Sequence, residues 1–152
     1  MRRKDLEITD TAAMEDILHE ALVAHIGMVD QGIPYVVPMV FAYDDGCLYL
    51  HSAATGRKID ILKRNPTVCF QVDVGCEVIP GATPCSFTAK YRSIIGHGQA
   101  TLIVDAKDKV EALDTMMSRF LPGQQEYKPA SLSKVVVIRI DIDSMTGKQA
   151  GK

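Results

Sequence analysis

The residues best suited to chemistry are concentrated at 51–58, His-Ser-Ala-Ala-Thr-Gly-Arg-Lys, between a strand-like run and a helix-like run. This segment places a hydroxyl from Ser52, a glycine at position 56, and two adjacent cations, Arg57 and Lys58, at the predicted start of a helix. The free backbone N–H groups and the dipole at a helix start already favour an anion. The segment therefore predicts a phosphate-binding site.

The spacing of this segment limits the kind of phosphate. It lacks the glycine-lysine pattern of a nucleoside-triphosphate loop and the glycine pattern of a dinucleotide fold, so a monophosphate fits better. The alternative is a solvated helix face that continues through Lys63 and Arg64. Cations at a helix start are unfavourable against the dipole, which counts against a purely structural role. Spacing alone leaves both interpretations open.

Two histidines are candidates for a role near a ligand. His51 ends a predicted strand beside the cations, and an imidazole can donate a proton near neutral pH to a phosphate or a reacting group. A packed or surface position is the simpler interpretation of a lone histidine, and this applies also to His97, which lies between two glycines. The histidines and cysteines match no tetrahedral ligand spacing, so no metal site is predicted.

Composition bounds the remaining possibilities. A chain of 152 residues with 47% apolar and 24% charged residues fits one globular domain over 1–152. The net charge of −2 gives no reason to expect a nucleic acid or membrane partner. The basic start is followed by acids rather than an apolar run, so we expect a cytoplasmic protein. Without a CxxC pair, we expect reduced and mostly buried thiols at Cys47, Cys69, Cys76 and Cys85.

Hydrophobic periodicity predicts three helices and six strands. The helix that begins beside Arg57 and Lys58 carries Ile59, Ile61 and Leu62 at helical spacing and is expected to stop at Asn65 and Pro66. An amphipathic helix capped by Thr11 is expected over 14–22, and a second follows Asp105 with Val110, Leu113, Met117 and Phe120 on its apolar face. Residues 76–84 and 124–133 are predicted to form loops, and a bulge is expected near 96–98. The predicted strands are 26–29, 35–43, 47–51, 68–74, 86–104 and 137–143.

The strand at 35–43 indicates the architecture. It is apolar at nearly every position, which predicts that both of its faces are covered. Pro38 in its middle cannot donate to a ladder, so one side of this strand should lack a partner strand. The strands do not alternate regularly with helices, which favours antiparallel pairing, and a small barrel avoids exposed edges. We therefore predict a mostly β fold with accessory helices.

Together these motifs resemble a known family, the flavin-binding split-barrel proteins. The similarity is to the nitroimidazole-resistance-like branch of the pyridoxamine 5′-phosphate oxidase-related superfamily, and it covers almost the whole chain. The residues that carry it are 35–43 (Tyr-Val-Val-Pro-Met-Val-Phe-Ala-Tyr), 51–58, 65–70 (Asn-Pro-Thr-Val-Cys-Phe), 1–5 (Met-Arg-Arg-Lys-Asp), 91–96 (Tyr-Arg-Ser-Ile-Ile-Gly) and 146–148 (Thr-Gly-Lys).

The resemblance implies a six-stranded antiparallel split β-barrel that works as a homodimer with FMN at the subunit interface. It implies that Arg57 and Lys58 grip the FMN phosphate with help from the Ser52 hydroxyl, and that His51 is the candidate catalytic residue. The other residues implied to contact the cofactor are Val37, Pro38, Met39, Val40, Ala53, Gly56 and, from the partner subunit, Ser93 and Lys148.

The leading functional hypothesis is an FMN-dependent oxidoreductase. A reduced nicotinamide, NADH or NADPH, would donate a hydride to the flavin, which would reduce a small electrophilic acceptor such as a nitroaromatic or quinone-like compound. Oxidation of pyridoxamine phosphate itself is not expected, because its basic substrate-binding pattern is missing from the C-terminal tail. The alternatives are a flavin-binding carrier or redox or stress sensor without turnover, and a barrel that holds another planar cofactor such as haem or a deazaflavin.

Overall fold

The computed structural model describes residues 2–121 and 123–151. Within them, four α-helices and seven strands alternate irregularly along the chain, and two short 3₁₀ turns lie at Lys4–Leu6 and Pro84–Ser86. The helices are α1 (Thr11–Glu20), α2 (Arg57–Arg64), α3 (Ala106–Ser118) and α4 (Pro129–Leu132). The strands are β1 (Glu7–Ile8), β2 (Val23–Asp30), β3 (Ile33–Asp44), β4 (Cys47–Ala53), β5 (Thr67–Ile79), β6 (Thr88–Ile103) and β7 (Val135–Ala150).

Six of the strands close a barrel in the order β7-β4-β3-β2-β5-β6, because β6 also pairs with β7. Every pairing is antiparallel, as predicted. The two-residue β1, which the sequence did not predict, adds to the far half of β7 and makes seven strands in all. Side chains fill the interior, as expected of so small a barrel. The largest fully buried ones include Phe41, Phe70, Leu48, Leu50, Ile94 and Ile140.

The strands β5 and β7 are longer than predicted, because each of them pairs with the long strand β6. The predicted loop at 76–84 is wrong in its first part, since β5 continues to Ile79 after a bulge between Val74 and Glu77. The polar segment at 146–148 lies within β7, where Lys148 pairs with Ser93. The predicted bulge near 96–98 is confirmed as a register shift between β6 and β7.

The pairing of β3 is incomplete on one side. Its partner β2 pairs with it from Ile33 to Val40, but β4 pairs with it only from Phe41 to Asp44. The prediction that the strand carrying Pro38 lacks one partner is therefore confirmed. The prediction that both of its faces are covered is wrong for the single chain, because Val36 is 59% exposed and Val40 is 40% exposed on the outward face.

Helix starts follow the expected capping chemistry, with one change of residue. The cap of α1 is Asp10 rather than the predicted Thr11, which is already helical; the Asp10 carboxylate accepts a hydrogen bond from the Ala13 N–H at 3.2 Å. Asp105 caps α3 as predicted. Both Asp and Thr suit a cap, so their order alone could not decide which one takes the role.

The apolar face of α3 differs from the prediction by one residue. Its buried positions are Lys109, Ala112 and Met116, whereas the predicted Val110, Leu113 and Met117 are only half-buried. Phe120 lies beyond the end of the helix and is half-exposed. The helix is rotated because Lys109 buries its side chain and donates a hydrogen bond to the Leu132 carbonyl at 2.9 Å.

The four cysteines are free thiols, but the expectation that most are buried is wrong. Only Cys47 is buried; Cys69 is half-buried, and Cys76 and Cys85 are exposed because they lie on the β5–β6 hairpin beyond the barrel. Burial raises the pKa of the Cys47 thiol, and the bond to the Asp141 carboxylate raises it further. No helix in the described ranges is long and apolar enough to cross a bilayer.

Candidate functional site

The start of α2 is built to leave its backbone donors open. Gly56, the residue before the helix, has φ of 122° and ψ of 169°, a conformation that a side chain would strain. Its carbonyl accepts from the N–H groups of Ile59 and Asp60, and no side chain in the described chain caps the helix. The N–H groups of Arg57 and Lys58 have no partner within the described residues, and free N–H groups at a helix start favour an anion.

Arg57 is held in place by two neighbours on the β2–β3 hairpin. Its Nε donates to Asp30 Oδ2 at 3.3 Å, and its guanidinium carbon lies 4.4 Å from the centre of the Tyr35 ring. Arg64 donates to the other oxygen of Asp30 at 2.8 Å. Within the described residues, the terminal nitrogens of Arg57 make no hydrogen bond. They can therefore bind a ligand without breaking the contacts that orient the side chain.

Lys58 and Ser52 lie on either side of the link between β4 and α2. Lys58 lines a small apolar space beside Met39 and Leu62, and its ammonium has no ion-pair partner among residues 2–121 and 123–151. Ser52 is only 8% exposed on β4. Only residues 54–56 separate the end of β4 from the start of α2, so the hydroxyl and the two cations belong to one short stretch of chain.

The barrel wall splits beside this stretch. Pairing between β3 and β4 ends at Phe41 opposite Leu50, so Val40 and His51 are the first residues on either side of the split. Beyond it β4 pairs only with β7, with His51 opposite Val137. Along 33–40, the backbone groups of β3 that face β4 have no strand partner. The predicted contact residues Val37, Pro38, Met39 and Val40 all lie on this open edge.

His51 opens into a cavity of about 250 Å³ next to the split. Its imidazole is exposed and makes no hydrogen bond within the described part of the chain. The cavity lies between the split and the two helices α3 and α4. Its lining residues are Val40, His51, Leu113, Met116, Met117, Phe120, Tyr127, Ser131, Leu132 and Val135.

The helical wall of this cavity is tied together by two polar contacts. The Tyr127 hydroxyl donates to Asp114 Oδ1 at 3.0 Å, and burial together with this bond raises the pKa of Tyr127 to about 12. The Lys109 ammonium donates to the Leu132 carbonyl on α4. Sequence reasoning missed this wall, because it treated 124–133 as a loop; Pro129 at a helix start was the one local signal for α4.

Ser93 and Lys148 lie apart from the group at 51–58. They are opposite each other on β6 and β7, and the Lys148 ammonium donates to the Tyr91 hydroxyl at 2.7 Å. Neither shares a hydrogen bond, an ion pair or a cavity with residues 51–58 in the described structure. Ser93 alternates with the buried Ile94, so it faces outward, on the same side of the sheet as the exposed His97.

A larger cavity of about 570 Å³ lies on another side of α3 and contains none of the predicted site residues. Its lining includes Tyr49, Arg139 and the acidic residues Asp108 and Glu111. Arg139 pairs with Asp141 and holds the pKa of that carboxyl below its usual range. No group of three or more metal-binding side chains occurs in the described ranges.

The family model for pyridoxamine 5′-phosphate oxidase matches residues 10–149. The chain belongs to this family. The match takes in every strand of the barrel, the split and the 51–58 segment, while Met1, at the start of the 1–5 motif, lies outside the described residues. A search of the curated proteins finds no match.

Several solved structures share the fold of this chain. One is a candidate 5-nitroimidazole antibiotic resistance protein from Bacteroides thetaiotaomicron, 34% identical, with a TM-score of 0.84 over 95% of this chain and 86% of that one. The flavocytochrome Anf3 from Azotobacter vinelandii is 23% identical, with a TM-score of 0.88 over 100% and 72%. An FAD- and heme-binding protein from Mycobacterium smegmatis is 20% identical, with a TM-score of 0.86 over 96% and 74%. The predicted resemblance is confirmed at the level of family and fold.

Proposed function

We propose that this protein is an FMN-binding oxidoreductase, active as a homodimer, that reduces a small nitroaromatic or quinone-like acceptor with a nicotinamide donor. The observation that carries the proposal is the split between β3 and β4, which lies directly beside an uncapped helix start bearing Arg57 and Lys58. An open strand edge suits a planar polar ring, and the cationic helix start suits a phosphate. The similarity to a candidate nitroimidazole resistance protein supports the choice of acceptor.

The donor set fits a single phosphate group. Arg57 and Lys58 are the first two residues of α2, the terminal nitrogens of Arg57 make no hydrogen bond within the described residues, and Ser52 lies on the strand that leads to this helix. The two flavin-binding neighbours above include one described as binding FAD. We favour FMN because the cations form one cluster sufficient for one phosphate, with the rest of the cofactor left to the apolar strand edge.

The open edge of β3 supplies contacts for the ring. Its unpaired backbone N–H and C=O groups can form hydrogen bonds with the polar rim of a flavin. Pro38 has no N–H, so this edge has one donor fewer for pairing with another strand. When bound, a flavin accepts a hydride from a reduced nicotinamide and passes the electrons to an electrophilic acceptor. His51, at the end of this edge, can orient the acceptor or donate a proton to it.

The outward face of the sheet supports a homodimer. Val36 and Val40 on β3 share this face with Val29 on β2 and Ile95 on β6, and all four are at least 40% exposed in the single chain. Exposed apolar patches of this kind mark interaction surfaces. Ser93 and Lys148 lie on the same face, so in an isologous dimer they can reach the partner's cofactor although they are far from their own 51–58 segment.

We expect Val36→Glu to convert the dimer to a monomer, because a carboxylate on this apolar face would be desolvated in the dimer. Light scattering coupled to size-exclusion chromatography measures the mass, with Val104→Glu as control. Val104 is 73% exposed but lies near the start of α3, away from this face. A Val36→Glu variant that remains dimeric would place the interface elsewhere.

We expect Tyr35→Leu to weaken FMN binding by about 3- to 10-fold, because Arg57 loses the aromatic face that holds its guanidinium. Riboflavin, which lacks the phosphate, should bind this variant as it binds the wild type. Quenching of flavin fluorescence measures both affinities. An equal loss for the two ligands would mean that Tyr35 acts on the ring rather than through Arg57.

An anaerobic titration separates turnover from simple binding. We expect NADH or NADPH to bleach the flavin absorption of the loaded protein, and a nitroaromatic compound to restore it. If the flavin stays oxidised with both donors, the reductase proposal fails and a carrier or sensor role takes its place. A haem spectrum, or binding of a deazaflavin in preference to FMN, would contradict the cofactor assignment.

A further inference from the structure

We infer that the 250 Å³ cavity behind His51 binds the electron acceptor, and that this acceptor is an uncharged aromatic compound of one or two rings. The inference deepens the proposed function and rests on it, because the cavity has an acceptor to bind only if a flavin occupies the neighbouring split. Its occupant is assigned from the chemistry of the lining, from its size and from its position.

The lining excludes a charged occupant. Among the described residues that form it there is no Asp, Glu, Lys or Arg. The Tyr127 hydroxyl already donates to Asp114 behind the wall. The polar side-chain groups of the lining that are left for an occupant are therefore the His51 imidazole and the Ser131 hydroxyl. Because burial of an unpaired charge is costly, this surface favours a neutral, mainly apolar molecule that can accept one or two hydrogen bonds.

The size and shape of the walls favour a small ring system. A volume of 250 Å³ is below the range of about 300–1,000 Å³ that holds drug-sized ligands, so one or two fused rings fill it. Met116 and Met117 form part of the α3 wall, and methionine side chains pack favourably against aromatic rings and adapt to their outline. Phe120 closes another side with a second aromatic surface.

The cavity is a built feature rather than a gap under a loose segment. The two hydrogen bonds from Lys109 to Leu132 and from Tyr127 to Asp114 fix the α4 wall against α3. Lys109 is only 7% exposed and is one of two buried polar residues in the described chain, the other being Ser52. The buried Lys109 side chain thus connects the two helices that form this wall.

The position of the cavity connects it to the electron source. Val40 and His51, which flank the split between β3 and β4, are both part of its lining. An occupant therefore lies against the end of the strand edge to which we assign the flavin ring, with His51 in reach of both. His51 is absent from the lining of the larger 570 Å³ cavity on the other side of α3.

The test is a calorimetric titration of the full-length protein with FMN added and no nicotinamide donor. The probes are 4-nitrobenzyl alcohol, which is neutral, and the charged 4-nitrobenzoate and 4-nitrobenzylamine. We expect the neutral probe to bind about tenfold or more tightly than either charged one, because the cavity offers no counter-charge. Equal affinity for the three probes would overturn the inference.

Variants locate the binding. Leu113→Trp and Met117→Trp fill the cavity and should each weaken the neutral probe by about tenfold or more, while Lys107→Trp, on the exposed side of α3, should leave it unchanged. Should overpacking prevent folding, Met117→Ala enlarges the cavity and should shift the preference toward 1-nitronaphthalene. Wild-type probe affinity in the filled variants would overturn the inference.

A separate FMN titration of the same variants distinguishes the two proposals. We expect the FMN affinity of Leu113→Trp to remain within about threefold of the wild type, since this substitution leaves Arg57 and Lys58, which we assign to the phosphate, unchanged. If Leu113→Trp loses FMN as strongly as it loses the probe, the cavity holds part of the flavin and the inference fails. If no FMN binds to the wild type at all, the proposed function fails, whereas probe binding still reports on the cavity.

Discussion

Replacement of Arg57 and Lys58 together by alanine should give a folded protein that no longer retains FMN. The double variant removes two charge-assisted contacts to the phosphate, each of which contributes about 1.5–3 kcal/mol. We take the lower end because the Arg57 side chain is 55% exposed. The expected loss is then about 10²-fold in FMN affinity. Fluorescence quenching during titration with FMN measures it.

The matched control for this pair is Lys63→Ala with Lys107→Ala, which changes the net charge by the same amount at exposed sites on α2 and α3. It should bind FMN within about threefold of the wild type, because screened charges at a distance contribute little. Riboflavin should bind both double variants alike. Retention of stoichiometric FMN by the Arg57 and Lys58 variant would refute the phosphate assignment.

Replacement of His51 by alanine should lower the rate of acceptor reduction by about 10²-fold or more, the usual contribution of a positioned proton donor. FMN affinity should change by no more than about threefold, because the phosphate grip lies elsewhere. Stopped-flow measurement of flavin reoxidation by a nitroaromatic compound isolates this step from reduction by the nicotinamide. His19→Ala, on the exposed side of α1, is the control.

A second variant at this position separates the two roles open to the imidazole. His51→Gln keeps a hydrogen-bonding side chain but cannot carry a proton at neutral pH. A rate as low as that of His51→Ala indicates proton donation, whereas recovery of the rate indicates orientation of the acceptor. If both variants are reoxidised at the wild-type rate but bind FMN more weakly, His51 contacts the cofactor and takes no part in acceptor reduction.

The features that the sequence predicted correctly depend on local chemistry. Pro38 lacks an N–H, so an unpaired strand side followed from that residue alone. The bulge beside His97 followed from the two flanking glycines, and the end of α2 at Arg64 followed from Asn65 and Pro66. The 51–58 segment is contiguous, so its position at a strand end and a helix start could be derived without knowledge of the fold.

The features that the sequence did not predict depend on contacts between distant residues. Lys109 takes a buried position on α3, where it donates a hydrogen bond to the Leu132 carbonyl, 23 residues further along the chain. The cavity behind His51 is lined by residues of β3, β4, α3 and α4 that are distant in the sequence, so no local pattern indicates it. The exposure of Val36 could not be read from an apolar run either, because such a run is equally consistent with burial in the barrel or against a second copy.

The absorption spectrum of the purified protein tests the central claim most directly. We predict a yellow protein with the absorption bands of an oxidised flavin, which after denaturation releases FMN in stoichiometric amount with the chain. A colourless protein that also fails to gain these bands when FMN is added would contradict the claim that the uncapped start of α2 and the split beside it form a flavin site.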